Sequence, residues 1–163
     1  MVGMTAKTIA ESRISYSRWM GVSDANHLGF VHGGIIMKLI DEAGGIVAAR
    51  HSQRSVVTAN LDSLIFLRPI HLRDLVTLTA EITYVGRTSM ETKVEVHAEE
   101  IISGESELKN IAYLVFVALD GETGKPTPVP PLRFENDSER IRAEEAKLRM
   151  DHRLAQRKLA SLI

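Results

Sequence analysis

The stretch NHLGFVHGGIIMKLIDEAGG, Asn26 to Gly45, places groups suited to carbonyl chemistry at spacings that a helix makes meaningful. Gly33 and Gly34 stand where the run turns apolar. A bare first helical turn there directs unsatisfied N–H groups, at the positive end of the dipole, toward whatever lies in front of it. Such an end receives an oxygen that gains negative charge, an oxyanion hole in which one donor is worth about 3 kcal/mol in the transition state. The same pair would also serve as a tight turn into the helix. Asp41 lies in the middle of the apolar run, where a carboxylate is suited to act as general base or as nucleophile. Its neighbours three, four and seven positions away are Gly34, Met37, Lys38, Gly44 and Gly45, an unusually small flank. Each interior glycine costs a helix about 1 kcal/mol relative to alanine, so something must approach the backbone there, either another element or a thin ligand group.

One helix does not bring both functions to one atom. From Gly34 to Asp41 is roughly 10 Å along the axis, whereas a base and an oxyanion donor must each sit about 3 Å from the reacting group. Two antiparallel helices related by a two-fold axis set the start of one beside the middle of the other, which makes a homodimer part of the chemistry. Asn26, just before the helix, adds an amide that grips the carbonyl or holds a water.

The elements that position these residues are legible as periodicity. From His32 to about His51 apolar residues recur at Ile36, Leu39, Ile40, Ala43, Val47 and Ala48, with Ile35 and Ile46 on other faces, which predicts a long helix enclosed on most sides. Ile9 to Met20 reads as a first strand. SVVTANLDSLIFL alternates with a period of two, putting Thr58, Asn60 and Asp62 on one face, where they line a cleft or meet at a dimer seam. Leu75–Val85 and Thr88–Glu99 alternate more clearly and flank a hairpin turn at Gly86-Arg87. Asn110–Leu119 is almost continuously apolar, as for a strand covered on both faces. The plan is α+β, a curved antiparallel sheet around the long helix over residues 1–132, followed by a charged carboxyl-terminal helix or tail over 133–163. In that last segment Asn136 and Glu139 resemble a capping box, and Asp137 to about Ala160 predicts a largely solvated helix. Ile141, Leu148, Leu154, Leu159 and Leu162 form its sparse apolar stripe for docking or assembly.

Composition narrows the function. The 163 residues carry 20 Lys and Arg against 21 Asp and Glu, which excludes the basic field of a nucleic-acid binder and makes any anion site local. The chain has no cysteine, hence no disulfide framework and no thiolate metal site, a composition that suits the cytoplasm. Lys38 and Asp41 interrupt the longest apolar stretch well short of the roughly 20 residues of a membrane span. MVGMTAKTIAES has no apolar signal region, so a soluble, cytoplasmic protein is expected.

With Asn26, Gly29, Gly33, Gly34, Asp41 and Glu42 in the pattern N-x-x-G-x-x-x-G-G, helix, D-E, the chain resembles the hotdog-fold acyl-CoA thioesterases. The branch is the acyl-CoA hydrolases of the 4-hydroxybenzoyl-CoA thioesterase-like superfamily. FLRPI, GRTSME and VFVALDGETGKPTPVP extend the resemblance over nearly the whole chain. It implies one hotdog domain, edge-to-edge pairing into a homodimer, often three dimers in a hexamer, and hydrolysis of acyl-CoA to a fatty acid and coenzyme A. It further implies Asp41 as catalytic carboxylate and Asn26 as its partner from the opposite subunit. Some relatives split these residues between two hotdog domains in one chain, whereas this chain carries both. For coenzyme A, the hairpin offers Arg87 to a phosphate and Thr88 and Ser89 to the pantetheine arm, with Arg68 a weaker candidate. Met37, Leu64 and Phe66 would shape the acyl pocket. No cofactor is expected, coenzyme A being substrate and product.

Other signals fail on spacing. GETGKPT lacks the phosphate-loop spacing and carries Pro126 where the helix should begin. His27 and His32 lack the spacing of a zinc site, so no metal is expected, and His32 is better placed to cap the glycine turn. There is no G-x-S-x-G elbow. Two rivals remain: a hotdog hydratase or dehydratase using His32 or His27 as proton carrier, and a non-catalytic acyl-CoA sensor, which would have no need of Asp41.

Overall fold

The computed structural model describes residues 4–160, with side chains described as far as residue 155. A short helix α1 (Ile9–Ser12) leads into β1 (Ile14–Trp19) and a single 3-10 turn at Val22–Asp24. Next come the central helix α2 (Gly33–Ser52), strands β2 (Ser55–Phe66), β3 (Leu75–Val85), β4 (Ser89–Glu99) and β5 (Ser106–Leu119), and finally α3 (Asp137–Ala160). The sheet is antiparallel throughout, in the order β1-β3-β4-β5-β2, so β2 is an edge. The expected α+β hotdog plan is present.

The inner face of the sheet supplies Val76, Leu78, Ala80, Ile82, Met90, Val94, Val96, Ala112, Leu114, Phe116 and Ala118 to one core with α2. All six apolar positions expected to anchor α2 are buried: Ile36, Leu39, Ile40, Ala43, Val47 and Ala48. The expectation of enclosure on most sides is not met within one chain, since Met37 and Ile46 stay 44% and 47% exposed. Edge strand β2 is open on the same flank, with Val57, Leu61, Ile65 and Phe66 exposed.

Four further expectations are corrected. Residues 9–12 are helical, because Thr8 caps the turn by accepting from Glu11 N while Glu11 returns to Thr8 N, a T-x-x-E capping box in TIAE. β5 begins at Ser106 rather than Asn110 and is fully buried on one face only, Ile111, Tyr113, Val115 and Val117 being half-covered. The helix at Asp137–Ala160 forms as expected, with Asn136 Oδ1 accepting from Glu139 N, but of the two roles expected for its stripe, docking or assembly, docking on the chain's own body is not seen: Ile141, Leu148 and Leu154 are exposed in the single chain. The side chain of Leu159 and all of Leu162 lie outside the described residues. α3 instead packs through Ala143 and Ala146 and through a charge cluster on the outer face of the sheet, where Arg149 and Arg153 both bind Glu91.

Candidate active site

The loop before α2 is built to present Asn26. Asp24, buried, accepts from Gly21 N and pairs with Arg18 at 2.6 Å, and its carbonyl receives His32 N. Val31 N donates to Ile70 O, fixing the loop to the body. Asn26 Oδ1 then accepts from Leu28 N at 2.9 Å and from Phe30 N at 3.2 Å. With its oxygen so committed, the side chain has only Nδ2, a two-proton donor, to offer outward. The turn closes on Gly29 at φ +82°, a left-handed conformation that explains the glycine three residues after the asparagine.

The two glycines that open α2 are not equivalent. His32 is the N-cap, and its Nδ1 accepts from Gly34 N at 2.9 Å, so the Gly34 donor is occupied. Ile35 N turns back to His32 O. Among the described residues no hydrogen bond takes Gly33 N–H. The expected pair of free donors is therefore one, with Gly34 serving the cap, and His32 has the capping role its position suggested. Phe66 of β2 flanks Gly33, where an added Cβ would sit 3.5 Å from its ring.

Asp41 lies on the open flank of α2 and is exposed in the single chain. Thr58 Oγ1 on β2 donates to Asp41 Oδ1 at 2.7 Å, which fixes one carboxylate oxygen and leaves Oδ2 unbonded among the described residues. The pair opens onto a trough of about 450 Å³ between α2 and β2, with Glu42, Gly45, Ala49, Val56 and Phe116 in its walls. Gly44 and Gly45 separate in meaning here. A Cβ on Gly44 would meet Thr92 Oγ1 at 2.8 Å and Phe116 Cε2 at 2.9 Å, so this glycine serves close helix–sheet packing; Gly45 lines the trough.

The expected common face of Thr58, Asn60 and Asp62 is not formed. The β2–β5 ladder shifts register between Thr58 and Asn60 and again between Leu61 and Ser63, leaving Ala59 and Asp62 without partners. Such bulges rotate the residues that follow them. Thr58 accordingly reaches inward to α2, whereas Asp62 reaches Arg153 of α3 on the outer face.

Among the described residues Asn26 and Asp41 share no hydrogen bond, and Asn26 does not line the trough at Asp41. The hairpin lies between β3 and the first residue of β4, tied down by Gly86 N to Ser89 O, Ala118 N to Thr88 O and Val129 N to Arg87 O. Arg87 rims a second cleft of about 560 Å³, between the hairpin, residues 128–134 and α3, with Arg140, Lys147, Glu144, Tyr84 and Phe134. The three cations form no ion pair among the described residues. Arg140 and Lys147 were not legible in the sequence as site residues, because only the packing of α3 brings them to the hairpin. Arg68 sits at the opposite end of the sheet, paired with Glu107 at 2.8 Å. Phe66 pairs with Asn110 and Ser89 with Val117, which separates the two arginines by roughly 23 Å along β5.

Residues 28–105 match the thioesterase superfamily. A Bacillus subtilis protein described as an uncharacterised acyl-CoA thioester hydrolase is 40% identical over 87% of this chain and 86% of its own. An acyl-CoA hydrolase from Staphylococcus aureus, solved with butyryl coenzyme A and coenzyme A, superposes with a TM-score of 0.88 at 36% identity, over 96% of this chain and 95% of that one. Alanine variants of that enzyme at an aspartate, an asparagine and a threonine have also been solved. An apo-hexameric acyl-CoA thioesterase superposes with a TM-score of 0.89 at 35% identity, over 94% and 97% of the two chains.

Proposed function

The chain belongs to the thioesterase superfamily and is an acyl-CoA thioester hydrolase, and from that premise we propose how its residues divide the work. Asp41 is the general base. Its Oδ2 takes a proton from water, whose oxygen attacks the thioester carbonyl carbon. The resulting oxyanion is held by Gly33 N–H and by the Nδ2 of Asn26, both from a second copy of the chain. Collapse breaks the carbon–sulfur bond, and the proton on Asp41 passes to the departing thiolate, leaving the acid and free coenzyme A. The observation that carries this reading is the Thr58–Asp41 hydrogen bond, which fixes one carboxylate oxygen and turns the other to a trough open to substrate. It is supported by the S. aureus enzyme, whose altered asparagine, aspartate and threonine stand 15 and 17 residues apart, the spacings of Asn26, Asp41 and Thr58.

The second copy follows from the same geometry. Within one chain Asn26 is not among the residues that line the trough at Asp41, and the flank that carries Asp41 exposes Met37, Ile46, Val57 and Leu61 beside an unpaired strand edge. Edge-to-edge pairing of β2 covers that surface in a homodimer, and the hexameric relative supports a trimer of dimers. No cofactor and no metal enters the chemistry; coenzyme A is substrate and product.

For coenzyme A the proposed phosphate contacts are Arg87, Arg140 and Lys147 around their cleft, with Thr88 and Ser89 along the pantetheine arm. Arg68, held by Glu107 at the other end, has no part in that cleft. No described helix is long and apolar enough to cross a membrane. The cysteine-free chain is proposed to work in the cytoplasm. The test is thiol release from short, medium, long and aromatic acyl-CoAs by wild type and Asp41→Asn. Loss of turnover with coenzyme A affinity retained is expected; a fully active Asp41→Asn removes Asp41 from the mechanism.

A further inference from the structure

Glu91, in the GRTSME segment, is 1% exposed, yet it lies on the outer face of the sheet, away from the core with α2. A buried carboxylate is tolerated only when paired and hydrogen-bonded. Here Thr83 Oγ1 donates to Oε1 at 2.8 Å, Arg149 Nη2 donates to Oε1 at 2.8 Å, and Arg153 Nη1 donates to Oε2 at 2.7 Å. Arg149 stacks on Tyr113 with its guanidinium 4.1 Å from the ring centroid. Burial opposes its charge, but the hydrogen bonds and charge of Glu91 outweigh this and hold its pKa above the ordinary value. Two arginines from α3 are thus fixed on one buried anion.

Arg153 does more than hold α3. The same Nη1 donates to Asp62 Oδ2 at 2.9 Å. Asp62 is a bulged residue of β2 without a partner on β5. The two register shifts bracket only Asn60 and Leu61, and the first follows directly on Thr58, the residue that holds Asp41. We propose that Arg153 is a positioning residue for thioester hydrolysis: anchored on Glu91, it grips Asp62 and fixes the bulged edge strand so that Thr58 meets Asp41. The inference rests on the reading of Asp41 as base. It gives the charged terminal helix a function in turnover, acting across the sheet from its outer face to its inner one.

The test is a cycle of Asp62→Ala, Thr58→Val and the double variant, with kcat and KM for an acyl-CoA and the oligomeric state measured for each. Asp62→Ala removes the acceptor for Arg153 and leaves the Glu91, Arg149 and Arg153 cluster intact and α3 docked. The brace predicts a kcat about fivefold lower, with KM unchanged within about twofold, because misplacing a catalytic group penalises turnover more than binding. In the Thr58→Val background, where the relay is already cut, Asp62→Ala should have no further effect. Arg153→Met should repeat the pattern at lower thermal stability, since it also loses Glu91. A wild-type kcat in Asp62→Ala, or the same fold loss with and without Thr58, overturns the brace. Asp41→Asn run alongside separates the two ideas: its full activity would sink the base, whereas its inactivity beside a fully active Asp62→Ala would sink only the brace.

Discussion

Gly44 and Gly45 are adjacent on one helix, yet alanine at each should move stability in opposite directions. A Cβ on Gly44 would lie 2.8 Å from Thr92 Oγ1 and 2.9 and 3.2 Å from two carbons of the Phe116 ring. Neither neighbour can withdraw easily, since Thr92 is fully buried and Phe116 is 2% exposed between helix and sheet. Overpacking costs about 1–3 kcal/mol, and with neither neighbour able to withdraw it falls in the upper part, about 2–3 kcal/mol; the gain in helix propensity returns about 1 kcal/mol, so Gly44→Ala should be destabilised by about 1–2 kcal/mol. On Gly45 the added carbon would find Phe116 at 3.5 and 4.0 Å, ordinary contact distances, so the propensity term stands nearly alone. Gly45→Ala should therefore gain up to about 1 kcal/mol. At roughly 2–4 °C per kcal/mol for a chain of this size, the Tm values should fall on either side of wild type. Urea denaturation with an unchanged m value would confirm that the native state alone has moved. A Gly44→Ala protein as stable as wild type, or two alanine variants that melt together, would refute the packing argument.

Removing the anion under α3 should be severe. Glu91→Ala leaves two half-buried guanidinium groups without their partner, a change expected to cost about 3 kcal/mol in urea unfolding and to open residues 133–160 to proteolysis. Thr58→Val should lower kcat about tenfold with little change in Tm, as expected for a single charge-assisted hydrogen bond of about 1.5 kcal/mol or more. His51 gives a pH signature. Its Nε2 lies 2.9 Å from Pro130 O, which can only accept, so Nδ1 is the acceptor for Ser12 Oγ in the neutral ring. Burial, with the neighbouring Lys7 charge adding to it and the Pro130 bond opposing, pushes the imidazole below its ordinary 6.5. The unfolded chain therefore takes up this proton first as pH falls. The stability His51 contributes is complete above about pH 6.5 and is lost as pH drops from there through the folded value. A Tm–pH series should show that fall, and His51→Gln should flatten it.

The parts of the fold written as strong periodicity were legible in the sequence. Leu75–Val85 alternates cleanly because one face of β3 packs on α2, and Ile36 through Ala48 recur at helical spacing because one stripe meets the sheet. Where a local signal was short, it was easily overridden: the four residues of TIAE look extended unless Thr8 and Glu11 are read as a pair. The face of β2 was misassigned because a bulge at Ala59, invisible in an alternating pattern, reverses its parity before Asp62, which is itself the residue of a second bulge. Asp41 and Asn26 stood out by being polar beside an apolar run. Arg140, Lys147 and Arg153 did not, because a charged helix carries its functional and its solvated cations in the same spacing. What selects among them is the position of Glu91 and of the hairpin on the sheet, information that lies more than forty residues away.

The claim on which the mechanism depends is that two chains complete one site, and complementation measures it directly. Asn26→Ala and Asp41→Asn, each expected to be inactive alone, are co-expressed in equal amounts and assayed for thiol release. A shared site predicts recovery to about a quarter of wild-type activity, since half the dimers are mixed and each mixed dimer holds one intact site. Activity no higher than that of the two variants apart, in a preparation shown to contain mixed dimers, would contradict it.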